Sequence, residues 1–132
     1  MCDLKRKSRR KEITGWKVVA VHDKTGEYYS SAMGFKYPKR GGKIPKVKRQ
    51  NRLSASWIAN ILYGITFRDD MIGRTVIFLS KGGAISLKMG TSDCHSHSHK
   101  IIRAVVSDDI MTGTYGTPEH RIAAGRRIRF LE

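Results

Sequence analysis

The side chains best equipped for chemistry in this chain are its cations, and they fall into two clusters. Residues 36–52 hold Lys36, Lys39, Arg40, Lys43, Lys46, Lys48, Arg49 and Arg52 with no acid among them. Residues 1–14 hold Lys5, Arg6, Lys7, Arg9, Arg10 and Lys11 against Asp3 and Glu12. Together they carry most of the net charge of +15, and the rest of the chain is close to neutral. A run this dense and free of acids repels itself unless an anionic partner supplies the counter-charge. Lysine and arginine neutralise phosphates and release the counterions condensed on them. Phe35 and Tyr37 lie beside the cations, and exposed aromatics stack on unpaired bases. Gly41-Gly42 would let backbone come close to a phosphate. The competing account of the same stretch is a solvated loop with both aromatics tucked into a sheet.

Arg127 and Arg129 alternate with Ile128 and Phe130 near the chain's end, so they share one face of a strand and could extend the patch. The nucleic-acid-binding candidates are therefore Lys36, Tyr37, Lys39, Arg40, Lys43, Lys46, Lys48, Arg49, Arg52, Arg127 and Arg129. The chain has no helix-turn-helix, zinc-finger or RNA-recognition signature, so the pattern names a polyanion and no base sequence.

A second constellation is Cys94-His95-Ser96-His97-Ser98-His99. In extended chain the three imidazoles project to one side and Cys94 to the other. Imidazoles so spaced can share Zn²⁺, Ni²⁺ or Cu²⁺. Structural zinc sites, however, draw their ligands from two separated pairs, and these are contiguous. Cys94, His95, His97 and His99 are thus metal candidates set against a polar loop rich in histidine, or against a surface that gains charge near pH 6. Asp69-Asp70 and Asp108-Asp109 resemble the paired carboxylates that hold Mg²⁺, but both stand in turn-like surroundings where aspartate caps backbone. Ser80-Lys81-Gly82-Gly83 lacks the spacing of a phosphate loop and reads as a tight turn. No nucleophile is paired with a base. The reading favours a binding protein without cofactor, with a divalent metal as the exception. The alternatives are a metal-dependent enzyme acting on nucleic acid or nucleotides, and an inhibitor that docks by protein contact alone on a nucleic-acid-binding groove.

These groups need a scaffold, and 132 residues suffice for one core without disulfides or metal. No apolar run reaches the roughly 18–20 residues that span a bilayer. Two distant cysteines make no disulfide framework. A cytoplasmic protein with no membrane partner is the expectation. Residues 1–14 lack apolar periodicity and read as a flexible basic arm, leaving 15–132 as a single domain.

Trp16–His22 and Glu27–Met33 are β-rich runs flanking Asp23-Lys24-Thr25-Gly26, which predicts a hairpin with the glycine at a positive φ. Pro38, Gly41, Gly42 and Pro45 exclude a regular helix from the basic loop but permit a short edge strand. Leu53–Tyr63 places Trp57, Ile58, Ile61 and Leu62 on one helical face. Strands are expected at 75–79, 101–106 and 126–131, a short helix at 84–88, a polar loop at 90–99 and a turn-rich excursion over 108–120. The outcome is an α+β fold, a small mostly antiparallel β-sheet with one main helix and a basic loop.

The Trp16-Lys17-Val18-Val19 strand, Tyr28-Tyr29-Ser30-Ser31 and the loop from Tyr37 to Lys46 come first in this order. Val76–Ser80 running into Ala84–Leu87, Ile101–Val106 and Arg126–Leu131 follow. The series resembles small proteins encoded by bacteriophages and prophages. The resemblance implies interference with a host machine, including nucleic-acid-guided defence such as CRISPR-Cas. On that view the partner is nucleic acid, a ribonucleoprotein or an acidic protein surface in the host cytoplasm. It implies no catalytic residue, and neither the histidine-rich segment nor the charge of 36–52 belongs to the pattern.

Overall fold

A computed structural model describes residues 2–30, 36–38, 42–43, 74–89, 97–116 and 118–131. The helix expected over 53–63, Asp69-Asp70, Cys94, His95, Lys39, Arg40, Lys46, Lys48, Arg49 and Arg52 lie outside them. The described chain is an α+β fold dominated by one antiparallel sheet. Its strands are β1 (Cys2–Lys7), β2 (Glu12–His22), β3 (Tyr28–Ser30), β4 (Gly42–Lys43) and β5 (Thr75–Phe78). Helix α1 (Lys81–Met89) follows, then β6 (His97–Ser107), β7 (Met111–Tyr115), β8 (His120–Gly125) and β9 (Arg127–Leu131). The strand order is β1-β7-β8-β5-β2-β6-β9-β4, with β3 alongside β2.

The frame is the pairing of β2 with β6, unbroken from Glu12↔Ser107 to His22↔His97. Valine, isoleucine and aromatic side chains fit such a pleated, half-buried surface. On its other edge β2 meets β5 at Trp16↔Phe78 and β3 at Val19–Val21. Alternation then sends side chains to two layers. One layer gathers Ile13, Val19 and Val21 of β2 with Ile77, Ala104, Val106, Ala123 and Ile128, around Tyr28, Tyr37 and Ile110. The other packs Val18, Phe78, Ile122 and Ala124 beneath Ala84 and Leu87 of α1. Each fully buried isoleucine, such as Ile77 or Ile122, contributes about 1.5–3 kcal/mol by leaving water.

The hairpin appears as expected, with Gly26 at φ 70°. Several expectations change. Residues 2–7 form strand β1, paired with β7 from Cys2↔Tyr115 to Lys7↔Met111, not a flexible arm. The pairing is by backbone, so it needs no apolar side chains, and a shift between Leu4 and Arg6 with the cations blunts this outer edge. The turn-rich excursion is a true hairpin, β7 with β8. The expected loop at 90–99 ends early, because β6 already begins at His97.

The helix starts at Lys81 and not at 84, capped by the Ser80 hydroxyl, which accepts a bond from the Gly83 N–H at 3.4 Å. Gly82-Gly83 thus sit in the first helical turn and not in a tight turn. A Cβ at Gly83 would lie 2.5 Å from the Phe78 ring and 3.1 Å from His120 Cβ, so glycine lets the helix come down onto the sheet.

Candidate nucleic-acid interface

Cations in this fold divide into those that the structure itself engages and those that it leaves facing solvent. Asp109 is the main internal anion. It follows Asp108 in a turn where both residues have positive φ, 66° and 54°, a conformation that aspartate tolerates better than most residues. Its carboxylate accepts bonds from Arg74 Nη2 at 2.6 Å and Arg126 Nε at 3.0 Å, with Lys7 Nζ at 3.9 Å. Arg74 Nε also donates to the Asp109 carbonyl at 3.1 Å. The Arg126 bond, with help from the Arg74, Lys7 and Arg126 charges, holds the Asp109 carboxyl below the usual carboxylate range. Asp108-Asp109 is therefore a turn, as expected, but in place of the expected backbone capping the Asp109 carboxylate is committed to arginine side chains.

Lys36 is engaged too. Its ammonium lies 3.3 Å from the Glu27 carboxylate, which also accepts the Tyr29 hydroxyl at 3.1 Å. Lys36 and then Tyr29 lower the Glu27 pKa, and the same carboxylate raises that of Tyr29. Lys17 points inward, donating to the Val76 carbonyl at 2.6 Å with its ammonium 5.5 Å from the Tyr37 ring centroid.

Among the remaining cations Arg103, Arg127 and Arg129 share one sheet face, and strand register fixes where. Three rows cross β2, β6 and β9. The first is Trp16, Arg103, Leu131; the second Thr14, Val105, Arg129; the third Glu12, Ser107, Arg127. The third row continues to Lys43 of β4, whose partner is Arg127. Thr14, Glu12, Arg103, Arg127 and Arg129 are exposed. Arg129 reaches Glu12 at 3.4 Å, but both side chains are more than half exposed, so water screens the contact. Among the described residues Arg103 and Arg127 make no ion pair. Exposed Arg9, Arg10 and Lys11 lead directly into Glu12. With neighbouring strands about 4.8 Å apart, the row from Glu12 to Lys43 spans about 14 Å. Register thus brings Lys43 of the second basic segment into the row that begins at Glu12, next to Arg9, Arg10 and Lys11 of the first.

Of the candidates within the described residues, Lys43, Arg127 and Arg129 are brought together by register, whereas Lys36 is held by Glu27 on the far side of β2. Tyr37 corrects the expectation of a stacking aromatic. It is 2% exposed, its hydroxyl is 3.0 Å from Thr75 Oγ1, and its ring meets Phe130 edge-on at 5.6 Å. An aromatic inside the core cannot receive a base. Arg103 and Trp16 are not among the residues that the sequence singles out. A lone arginine within Ile101-Ile102-Arg103-Ala104-Val105-Val106 is the available signal, since a charge in an apolar strand must take the solvent side.

His97 and His99 lie two apart on one face of β6. The His97 ring meets those of His22 and Tyr29 edge-on at 4.9 and 5.0 Å, and His99 is buried opposite Ala20. The His22 Nδ1 accepts the N–H groups of Lys24 and Thr25, each at 3.2 Å, so it holds the hairpin turn. Among the described residues no three His, Cys, Asp or Glu side chains converge as metal donors. No described helix is long and apolar enough to cross a membrane. Compared with known protein families, with curated proteins and with solved structures, the chain matches none.

Proposed function

We propose that this chain is a non-enzymatic binding protein that grips the phosphate backbone of nucleic acid with the β2-β6-β9-β4 end of its sheet. The observation that carries the reading is the pairing of Lys43 with Arg127. It joins Lys43, from the acid-free run, to the exposed arginines of β9, in the row that begins next to Arg9, Arg10 and Lys11. Cations so gathered would neutralise phosphates and release their counterions. The likeness to phage-encoded proteins extends the proposal to nucleic acid inside a host complex, such as a CRISPR-Cas ribonucleoprotein, with inhibition as the consequence.

The test is salt dependence. Binding of a labelled oligonucleotide should weaken linearly in log K against log salt, with each removed cation lowering the slope by about one unit at most. Reversing Arg127 and Lys43 together, Arg127→Glu with Lys43→Glu, should flatten the slope and weaken binding to every sequence alike. An affinity indifferent to salt, or a double reversal that binds as before, would refute it. Capture of a partner protein that survives nuclease treatment would point instead to docking by protein contact alone.

A further inference from the structure

Charge explains attraction to any polyanion, but the exposed sheet face carries something a phosphate does not need. Arg103 lies over the half-buried Trp16 ring, its guanidinium carbon 5.2 Å from the ring centroid. The two are directly opposed on β6 and β2, so register sets the two side chains next to each other. Trp16 is anchored on that face, since it packs beside Val18 and Phe78 in the layer under α1. Arg103 itself is exposed and, among the described residues, pairs with no acid. A guanidinium held near an indole by cation–π attraction presents a cationic group that is itself planar.

Unpaired bases stack on such planes, whereas bases inside a duplex have their faces covered by their neighbours. Along the strands, Arg129 lies one row from Arg103 and Arg127 two rows, at about 7 Å per row. A chain whose base rests at Arg103 therefore has its backbone led past exposed cations toward Lys43.

We infer that the Trp16–Arg103 stack is a base platform, which makes the nucleic acid taken by this face single-stranded. The inference rests on the proposed binding function and names its substrate class. Strand number, and not base sequence, is what the face selects, because every base has a π-face to offer.

Arg103→Lys is the decisive variant. It keeps the charge and the surface position but removes the flat group, and an exposed residue can be so changed without threatening the fold. Labelled oligonucleotides of about 16 nucleotides, the upper end of single-stranded site sizes, are compared as single strand and as duplex. Heparin, a polyanion without bases, serves as the third ligand. The full chain should prefer the single strand. R103K should lose about fivefold or more on the single strand and bind duplex and heparin unchanged. Arg121→Lys, an exposed arginine of β8 that lies outside this face, is the matched control and should alter none of the three. A second readout uses the Trp57→Phe chain, in which Trp16 is the only tryptophan; single strand should change its fluorescence and heparin should not.

If R103K binds all three ligands as the parent does, or if duplex is preferred, the platform is overturned and the polyanion reading stands. If the parent chain binds none of the three, both fall together.

Discussion

Asp109→Asn tests how far one carboxylate organises this fold. The side chain ties Arg74, which precedes β5, to Arg126, which precedes β9, and to Lys7 at the end of β1. Asparagine keeps the shape and tolerates the positive φ of 54°, so the substitution removes charge and little else. The Arg74 side chain is 4% exposed against 33% for Asp109, and a charge-assisted bond in such surroundings contributes about 1.5–3 kcal/mol. The Arg126 pair is a third exposed on each side and adds up to about 1 kcal/mol after screening. Lys7, at 3.9 Å and 77% exposed, adds nothing measurable.

The expected loss is therefore about 2–3 kcal/mol in urea unfolding at neutral pH, which moves the midpoint by about 1 M or more at usual m-values. Asp109→Ala should lose about 1–2 kcal/mol beyond that, because alanine resists the left-handed conformation. Acid provides the second axis. The folded carboxyl stays ionised to lower pH than the unfolded one. Its contribution is then complete above the ordinary value of about 3.9 and fades as pH falls through the lower folded value. D109N should lack that part of the acid limb. A variant within about 0.5 kcal/mol of the parent, the range of an unremarkable surface change, would refute the reasoning.

Two further predictions separate core from interface. Tyr37→Phe deletes the hydroxyl that meets Thr75 Oγ1 and should cost about 1 kcal/mol of stability while leaving the salt slope of nucleic-acid binding unaltered; a weakened grip would restore Tyr37 to the interface. Gly15→Ala would drive a methyl group onto the Phe78 carbonyl where β5 joins β2. Backbone cannot yield as a side chain does, so this overpacking should cost about 1–3 kcal/mol or more, read as a lower urea midpoint, and an unchanged midpoint would show that the strands can part there freely.

The legible parts of the fold were the strands that declare themselves locally. Thr75-Val76-Ile77-Phe78 and residues 101–106 are dense in β-branched and apolar side chains, Arg127–Leu131 alternates charged with apolar, and all three are strands. β8 escaped notice because both its faces are buried. Ile122 and Ala124 enter one layer and Ala123 the other, so Arg121-Ile122-Ala123-Ala124-Gly125 shows no period of two. β1 escaped because its pairing is carried by backbone, and its side chains spell a solvated tail. The site was half visible for a related reason. Cations in 36–52 and at 127 and 129 stand out locally, but their union depends on Gly42↔Ile128 and Lys43↔Arg127, contacts between residues far apart along the chain. The Arg103–Trp16 stack rests in the same way on the long register of β2 with β6, which no local pattern records.

That register also dictates when the molecule can exist. β2 is translated early but lies against β6, and β1 waits for residues 111–115. Apart from the β2–β3 and β7–β8 hairpins the described sheet closes through strands far apart in sequence, so contact order is high and folding belongs to the slow, millisecond-to-second regime. Through that interval the nascent strands present unpaired edges to one another. Newly made chains dense in lysine and arginine repel their neighbours. The arginines of β6 and β9 thereby keep unfinished copies from zipping into each other.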